Sequence, residues 1–319
     1  MGRIVTTWDL SRNEARPVVR AGTKLCRGVY FVPDSRGETP SLAHRARAAL
    51  LVCPPGSVVC GITVLGLASV QMPEGMASAP RGPVHVLVPP GTQNRPRRDG
   101  LVIHQDRTMP PTFYSDRYRI AAARPEYCWT QVASRLLESP VPSFQPESDP
   151  AMRGNLLHGR KLALLQAVQL GDALMRRERP LTDPNRFAAQ VARLAGTRHI
   201  PAVRDAFGLV RPGTDSPNET WLRLVVVDAG FPEPAVNHEF RLSNRGGFID
   251  LSWPERLIAL EYQGGQHFSD SSRSRDDLER RGQLQAAGWV IVEAVYRDLH
   301  HPGDLIGRLT AAFSGRGPA

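Results

Sequence analysis

The sequence predicts an α/β protein of the α+β kind, and three observations carry that reading. The front is a basic helix followed by a hairpin-like run, and the middle alternates helical and strand-like stretches. From Ser216 onward the pattern reads α-β-β-β-α-β-α. The 319 residues are enough for two or three domains with real cores, expected at 1–35, 36–210 and 211–319.

In the first segment, Ser11-Arg-Asn-Glu14 has capping-box spacing, which predicts a helix from there to about Ala21, stopped by Gly22. Arg12, Arg16 and Arg20 recur every four residues and make one helical face cationic. Residues 23–32 read as a hairpin around Arg27-Gly28, with Lys24 and Arg27 adding charge. A basic helix followed by a basic β-wing is the arrangement expected of a winged helix, here truncated, with Pro17 interrupting the helix. The alternative is a structural cap on the next domain.

The middle region begins with an alanine-rich helix over 42–53. Residues 58–70 start strand-like and become a helix, and 84–88 and 101–104 are strands. The loop 89–100 between those two strands carries Arg95, Arg97 and Arg98 and reads as a solvated turn within reach of phosphates. Residues 121–205 read as mainly helical, with a linker over 139–150 and a strong helix over 156–174. That helix is followed by Arg176, Arg177 and Arg179.

In the last third, Ser216 caps a helix over 219–229, with Pro217 at its first position. Strands follow at 235–242, 247–251 and 257–263. A helix over 273–287 ends at Gly288, a fourth strand runs over 289–294, and a closing helix over 302–313.

Charge is unevenly placed. Residues 1–110 carry 14 Lys+Arg and 7 Asp+Glu, a balance of +7; residues 211–319 carry 12 and 15, a balance of −3. A basic front suits a polyanion such as DNA through phosphate neutralisation, or simply keeps the chain soluble. No apolar run approaches the roughly 20 residues of a membrane span, and no leader is recognisable. A cytoplasmic protein with no membrane partner is therefore expected. Cys26, Cys53, Cys60 and Cys128 form no CxxC pair and read as small buried apolar residues.

The chemistry is concentrated in Gly247-Phe-Ile-Asp250 and Ile258-Ala-Leu-Glu261-Tyr-Gln263-Gly-Gly-Gln-His267. If the two strands form a hairpin, Asp250 comes near Glu261. Two carboxylates meet what Mg²⁺ asks of a protein, with waters and phosphate oxygens completing its shell. Alternation turns Glu261 and Gln263 one way and Tyr262 the other. Glu219, on the first turn of the preceding helix, would add an outer acid. Gly264 and Gly265 would let His267 approach as a general base or a leaving-group acid. The competing reading pairs these acids with arginines.

These residues resemble the PD-(D/E)XK nuclease superfamily, and within it the domain of unknown function related to very short patch repair endonucleases. The likeness rests on Ser216-Pro-Asn-Glu219, Phe248-Ile-Asp250, Ile258-Ala-Leu-Glu261-Tyr-Gln-Gly264 and His267. Arg273, Asp276, Arg280 and Ala287-Gly288-Trp289-Val290-Ile291 extend it, so that it spans about 215–312.

The resemblance implies a restriction-endonuclease-like mixed sheet flanked by helices and a metal-dependent DNA-cleaving site. Asp250 and Glu261 would be metal ligands, Glu219 a helper, and His267 the catalytic histidine. The superfamily lysine is replaced by Gln263, which leaves Arg273 and Arg280, with His267, to supply positive charge toward DNA. Upstream, Thr6-Thr-Trp-Asp-Leu10 and Arg20-Ala-Gly-Thr-Lys-Leu-Cys-Arg-Gly-Val-Tyr30 resemble the winged-helix segment of AbiEi-type antitoxins. That likeness implies DNA binding and self-repression and leaves a toxin partner open, with a degenerate nuclease fold as the non-catalytic alternative.

Overall fold

The computed structural model describes residues 2–73, 76, 82–93, 100–138, 160–194, 200–242, 245–264 and 271–316. Arg160, Leu242, Arg245 and 271–277 are described by backbone alone. The expected linker 139–150, Arg95, Arg97, Arg98, Gly265 and His267 lie outside the described residues.

The chain begins with a strand absent from the sequence reading, β1 (Arg3–Thr6), followed by α1 (Arg12–Ala21), β2 (Thr23–Cys26) and β3 (Val29–Val32). α1 starts where its capping box says. Ser11 Oγ accepts the Glu14 N–H at 3.4 Å, while Glu14 Oε2 accepts the Ser11 N–H at 2.9 Å. Gly22 ends the helix, its N–H donating to the Val18 carbonyl at 2.9 Å. Pro17 lies inside the helix without stopping it. Gly28 takes φ +74° in the hairpin turn, where an added Cβ would lie 2.9 Å from the Trp8 ring, so both backbone and space demand glycine. β1 was hidden because four residues give too little alternation to read. It pairs antiparallel with β3 to give the order β1-β3-β2.

Next come α2 (Leu42–Leu51), β4 (Val58–Val59), α3 (Gly61–Leu67), β5 (Val84–Val88), β6 (Leu101–Gln105), β7 (Thr112–Ser115) and β8 (Ile120–Ala123). The five strands form one mixed sheet in the order β6-β5-β4-β8-β7. β7 was not read from the sequence, and β8 puts strand at the start of the stretch 121–205, whose described remainder is mainly helical as expected. Ile120-Ala-Ala-Ala123 has helical propensity, but its place beside β4 and β7 overrides it.

Among the described residues α4 (Pro125–Glu138), α5 (Arg160–Leu174), α6 (Pro184–Ala192) and α7 (Ile200–Gly208) follow. Residues 1–135 and 185–198 form one compact unit; 136–184 and 199–319 form the other. Trp129 of α4 meets Phe187 of α6 edge to face, with ring centroids 4.8 Å apart and both side chains fully buried.

The second unit continues with α8 (Pro217–Asp228), β9 (Ala235–Leu242), β10 (Arg245–Trp253), a 3-10 turn at Pro254–Arg256 and β11 (Ile258–Gln263). It ends with α9 (Ser271–Ala286), β12 (Val290–Val295), α10 (Tyr296–His300) and α11 (Gly303–Ser314). The expected order holds, with α10 as an addition. β9, β10 and β11 run antiparallel and β12 lies parallel to β11, giving a mixed sheet β12-β11-β10-β9. Gly288 at φ +88° closes α9: its N–H bonds the Gln285 carbonyl and the Trp289 N–H reaches back to Leu284.

The main core joins Trp221 and Leu222 of α8 with Leu251, Trp253, Ile258 and Leu260 of the sheet and Leu305 and Leu309 of α11. Leu165 of α5 belongs to this core as well, so the unit begins upstream of the boundary expected at 211. Among the described residues no helix is long and apolar enough to cross a membrane.

Candidate functional site

The β10–β11 ladder pairs Trp253 with Ile258, Ser252 with Ala259 and Leu251 with Leu260. One step further, Asp250 Oδ2 accepts the Tyr262 N–H at 2.8 Å, so a carboxylate takes the part a strand carbonyl would play. The sheet thus brings Asp250 beside the Glu261 segment. Burial pushes the Asp250 carboxyl up to about 7, and the neighbouring charges of Glu219 and Glu261 push the same way. The Tyr262 N–H and Arg280 oppose them.

Glu219 arrives from the first turn of α8. Its Oε1 accepts from Ser216 Oγ at 2.8 Å, and its Oε2 from the Asp215 N–H at 2.9 Å and Asn237 Nδ2 at 3.2 Å. It is a capping residue first, and burial raises its pKa against those hydrogen bonds. Glu261, 3% exposed, faces α9, where Arg280 Nη2 donates to Oε1 at 2.6 Å and Oε2 at 2.7 Å. Arg280 Nη1 also reaches the Phe248 carbonyl at 3.2 Å. Tyr262 turns the other way, accepting from Asn218 Nδ2 of α8 at 3.0 Å, as strand alternation requires.

Gln263 Nε2 donates to Glu293 Oε1 of β12 at 3.4 Å. Arg281 pairs with the same Glu293. Arg273 is described by backbone alone, so its side chain has no assigned place, and His267 lies outside the described residues. Among the described residues no group of three or more His, Cys, Asp and Glu is arranged to hold a metal ion.

The donor chemistry of Asp250 and Glu261 nevertheless fits a hard divalent cation, which needs only one or two carboxylates from the protein. The charge around them supports that fit. Asp250 feels two other carboxylates and one guanidinium, a balance short of positive charge.

The basic residues of the N-terminal segment occupy the other unit. Arg12, Arg16 and Arg20 are all exposed on α1, a helix with no buried residue, and Lys24 and Arg27 are exposed on the hairpin. Trp8 is 50% exposed beside the hairpin turn.

Several contacts escaped the sequence reading. Glu293, Asn218 and Asn237 meet the site through strand register and helix placement; the lone glutamate within Val290-Ile-Val-Glu-Ala-Val295 was the available signal. Arg177, anchored by two bonds to Asp215 Oδ2, lies 4.0 Å over the half-exposed Phe248 ring. In the first unit, His85 Nδ1 and His104 Nε2 are 3.0 Å apart in stacked rings. His85 is pushed down to about 4, chiefly by burial. Nearby, Tyr127 donates to Asp106, and Gln131 donates to Tyr127 at 3.0 Å.

Two relatives are similar along most of the chain. They are uncharacterized proteins from Mycobacterium tuberculosis strains CDC 1551 / Oshkosh and ATCC 25618 / H37Rv. Each is 29% identical over 287 residues, covering 88% of this chain and 89% of the relative. No protein-family model matches the chain, and no solved structure does.

Proposed function

We propose that the protein binds DNA and that its C-terminal unit is a metal-dependent endonuclease of the PD-(D/E)XK type, akin to very short patch repair enzymes. One observation carries the reading: the β10–β11 register sets the buried Asp250 beside the Glu261 segment, its Oδ2 on the Tyr262 N–H at 2.8 Å, with Glu219 and Glu261 both close enough to raise its pKa and Arg280 opposing them. A site in that condition favours a divalent cation. The α-β-β-β-α-β order, with β12 parallel to β11, supports the same family.

In this reading Asp250 and Glu261 would hold Mg²⁺, which would supply Lewis-acid polarisation of the phosphate and an acidified water. Glu219 fixes the start of α8 and adds negative potential. Gln263, engaged with Glu293, contributes no charge, and Arg280 takes the electrostatic part of the missing lysine. The histidine role stays with His267 by resemblance. The exposed arginines of α1 hold DNA phosphates, and a DNA substrate would set the site of action in the cytoplasm.

The test is cleavage of duplex, nicked and mismatched DNA with Mg²⁺, Mn²⁺ or EDTA. Cutting should need metal and vanish in Asp250→Ala; equal activity in the variant sinks the assignment.

A second reading is favoured by the engagement of Gln263 with Glu293 and of Glu261 with Arg280. It takes the protein as an AbiEi-antitoxin-like regulator, with or without a toxin partner, whose nuclease-like unit binds without cutting. It expects promoter-specific retention in a gel shift and intact DNA throughout.

A further inference from the structure

We infer that Arg280 is an internal competitor for the metal: in the metal-free protein its guanidinium holds Glu261, and a divalent cation binds there only by displacing it. The inference rests on the metal-site reading above. One Nη2 atom serves both Glu261 oxygens, at 2.6 and 2.7 Å, and covers the carboxylate. The Glu261 side chain is only 4% exposed, whereas that of Arg280 is 22% exposed. The carboxylate therefore has little room for a second cation while the arginine stays, but the arginine has solvent to move into.

Charge decides the matter more firmly than space. Each carboxylate oxygen has two lone-pair directions, so a shared geometry is conceivable. Yet a divalent ion at the roughly 2.0–2.1 Å of a Mg²⁺–oxygen bond would stand within a few ångströms of a full positive charge in a mostly enclosed setting. The second bond of Arg280, to the Phe248 carbonyl at 3.2 Å, is long and does little to hold it back.

Displacement also gives the guanidinium a new partner. Tethered to α9 beside the carboxylates, it can form charge-assisted bonds to a substrate phosphate. A phosphate that draws Arg280 away frees Glu261 for the cation, so substrate and metal should each tighten the binding of the other.

The test is Mn²⁺ affinity of the full-length protein, read by isothermal titration and by electron paramagnetic resonance, without DNA. Arg280→Gln should bind Mn²⁺ about tenfold or more tightly than wild type, the scale of one charge-assisted bond. Arg280→Lys, which keeps a cation, should stay within about threefold of wild type. Equal or weaker binding by Arg280→Gln overturns the inference while leaving the metal site standing. Absence of Mn²⁺ binding in every form, or binding indifferent to Asp250→Ala, overturns the metal-site reading and this inference together.

Should Arg280→Gln fail to fold, wild type decides. The Nε–H resonance of Arg280 should shift in step with Mg²⁺ titration, and an unmoved signal during Asp250-dependent binding rules displacement out.

Discussion

Asp250 owes its chemistry first to burial, then to two neighbours of like charge, on a strand that ends its ladder one residue away. Its folded pKa of about 7 lies above the ordinary 3.8. A raised carboxyl means the fold prefers the protonated form. The stability tied to that proton is complete below the ordinary value and is lost as pH rises through about 7. Asp250→Asn keeps an acceptor for the Tyr262 N–H and removes the titration. In EDTA, the melting temperature of Asp250→Asn relative to wild type should therefore climb in the variant's favour between pH 4 and pH 8. A difference that stays flat across that range refutes the raised value. Added Mg²⁺ should stabilise wild type at pH 8 and leave the asparagine variant unmoved.

Helices α5 and α8 are joined by a buried ion pair. Arg223 is fully buried, with Nη2 donating to Asp172 at 3.1 Å and to the Leu209 carbonyl at 2.7 Å, and Nη1 to Glu233 at 2.8 Å. Asp172 is pushed up to about 6 by burial, with Arg223 and the bonds from Arg211 and Thr220 opposing. Arg223→Leu leaves that carboxylate uncompensated and should cost about 3–5 kcal/mol in urea denaturation. Adding Asp172→Leu should recover part of the loss, because two apolar groups leave no orphaned charge.

α1 is a different kind of element. It buries nothing, and its arginines are spent on the surface. The double change Arg12→Glu/Arg16→Glu should reduce the slope of log affinity against log salt by about two in DNA anisotropy titrations. An unchanged slope would make the helix a structural cap.

Elements with local signals were legible. The Ser11–Glu14 box, the Arg27-Gly28 turn and the Gly288 stop are written within a few residues of where they act. β8 was not legible, since Ile120-Ala-Ala-Ala123 becomes a strand only through its partners. The acids of the site could be read from alternation. Pairing of these acids with arginine was the competing reading, but that Arg280 is the partner of Glu261 was not legible, because the bond spans 19 positions and depends on how α9 lies on the sheet.

At the scale of the whole molecule, the expected boundary at 211 describes the sheet but not the body that stabilises it. Leu165 and Asp172 come from α5, upstream of that point, yet they pack and pair within the C-terminal unit. A fragment of 211–319 would lack both and leave Arg223 without its buried partner. It should therefore show no cooperative melt by circular dichroism, whereas the intact chain should. A sharp transition in the fragment would restore the simpler boundary.

The interleaving of the units reaches beyond stability. The chain leaves the first unit after residue 135, returns for 185–198 and departs again. A gene fusion or recombination event with a single breakpoint cannot hand on either body without a piece of the other. The two are bound to travel as one inheritance, and a homologue carrying only the C-terminal unit would first have had to excise 185–198 from between α5 and the sheet.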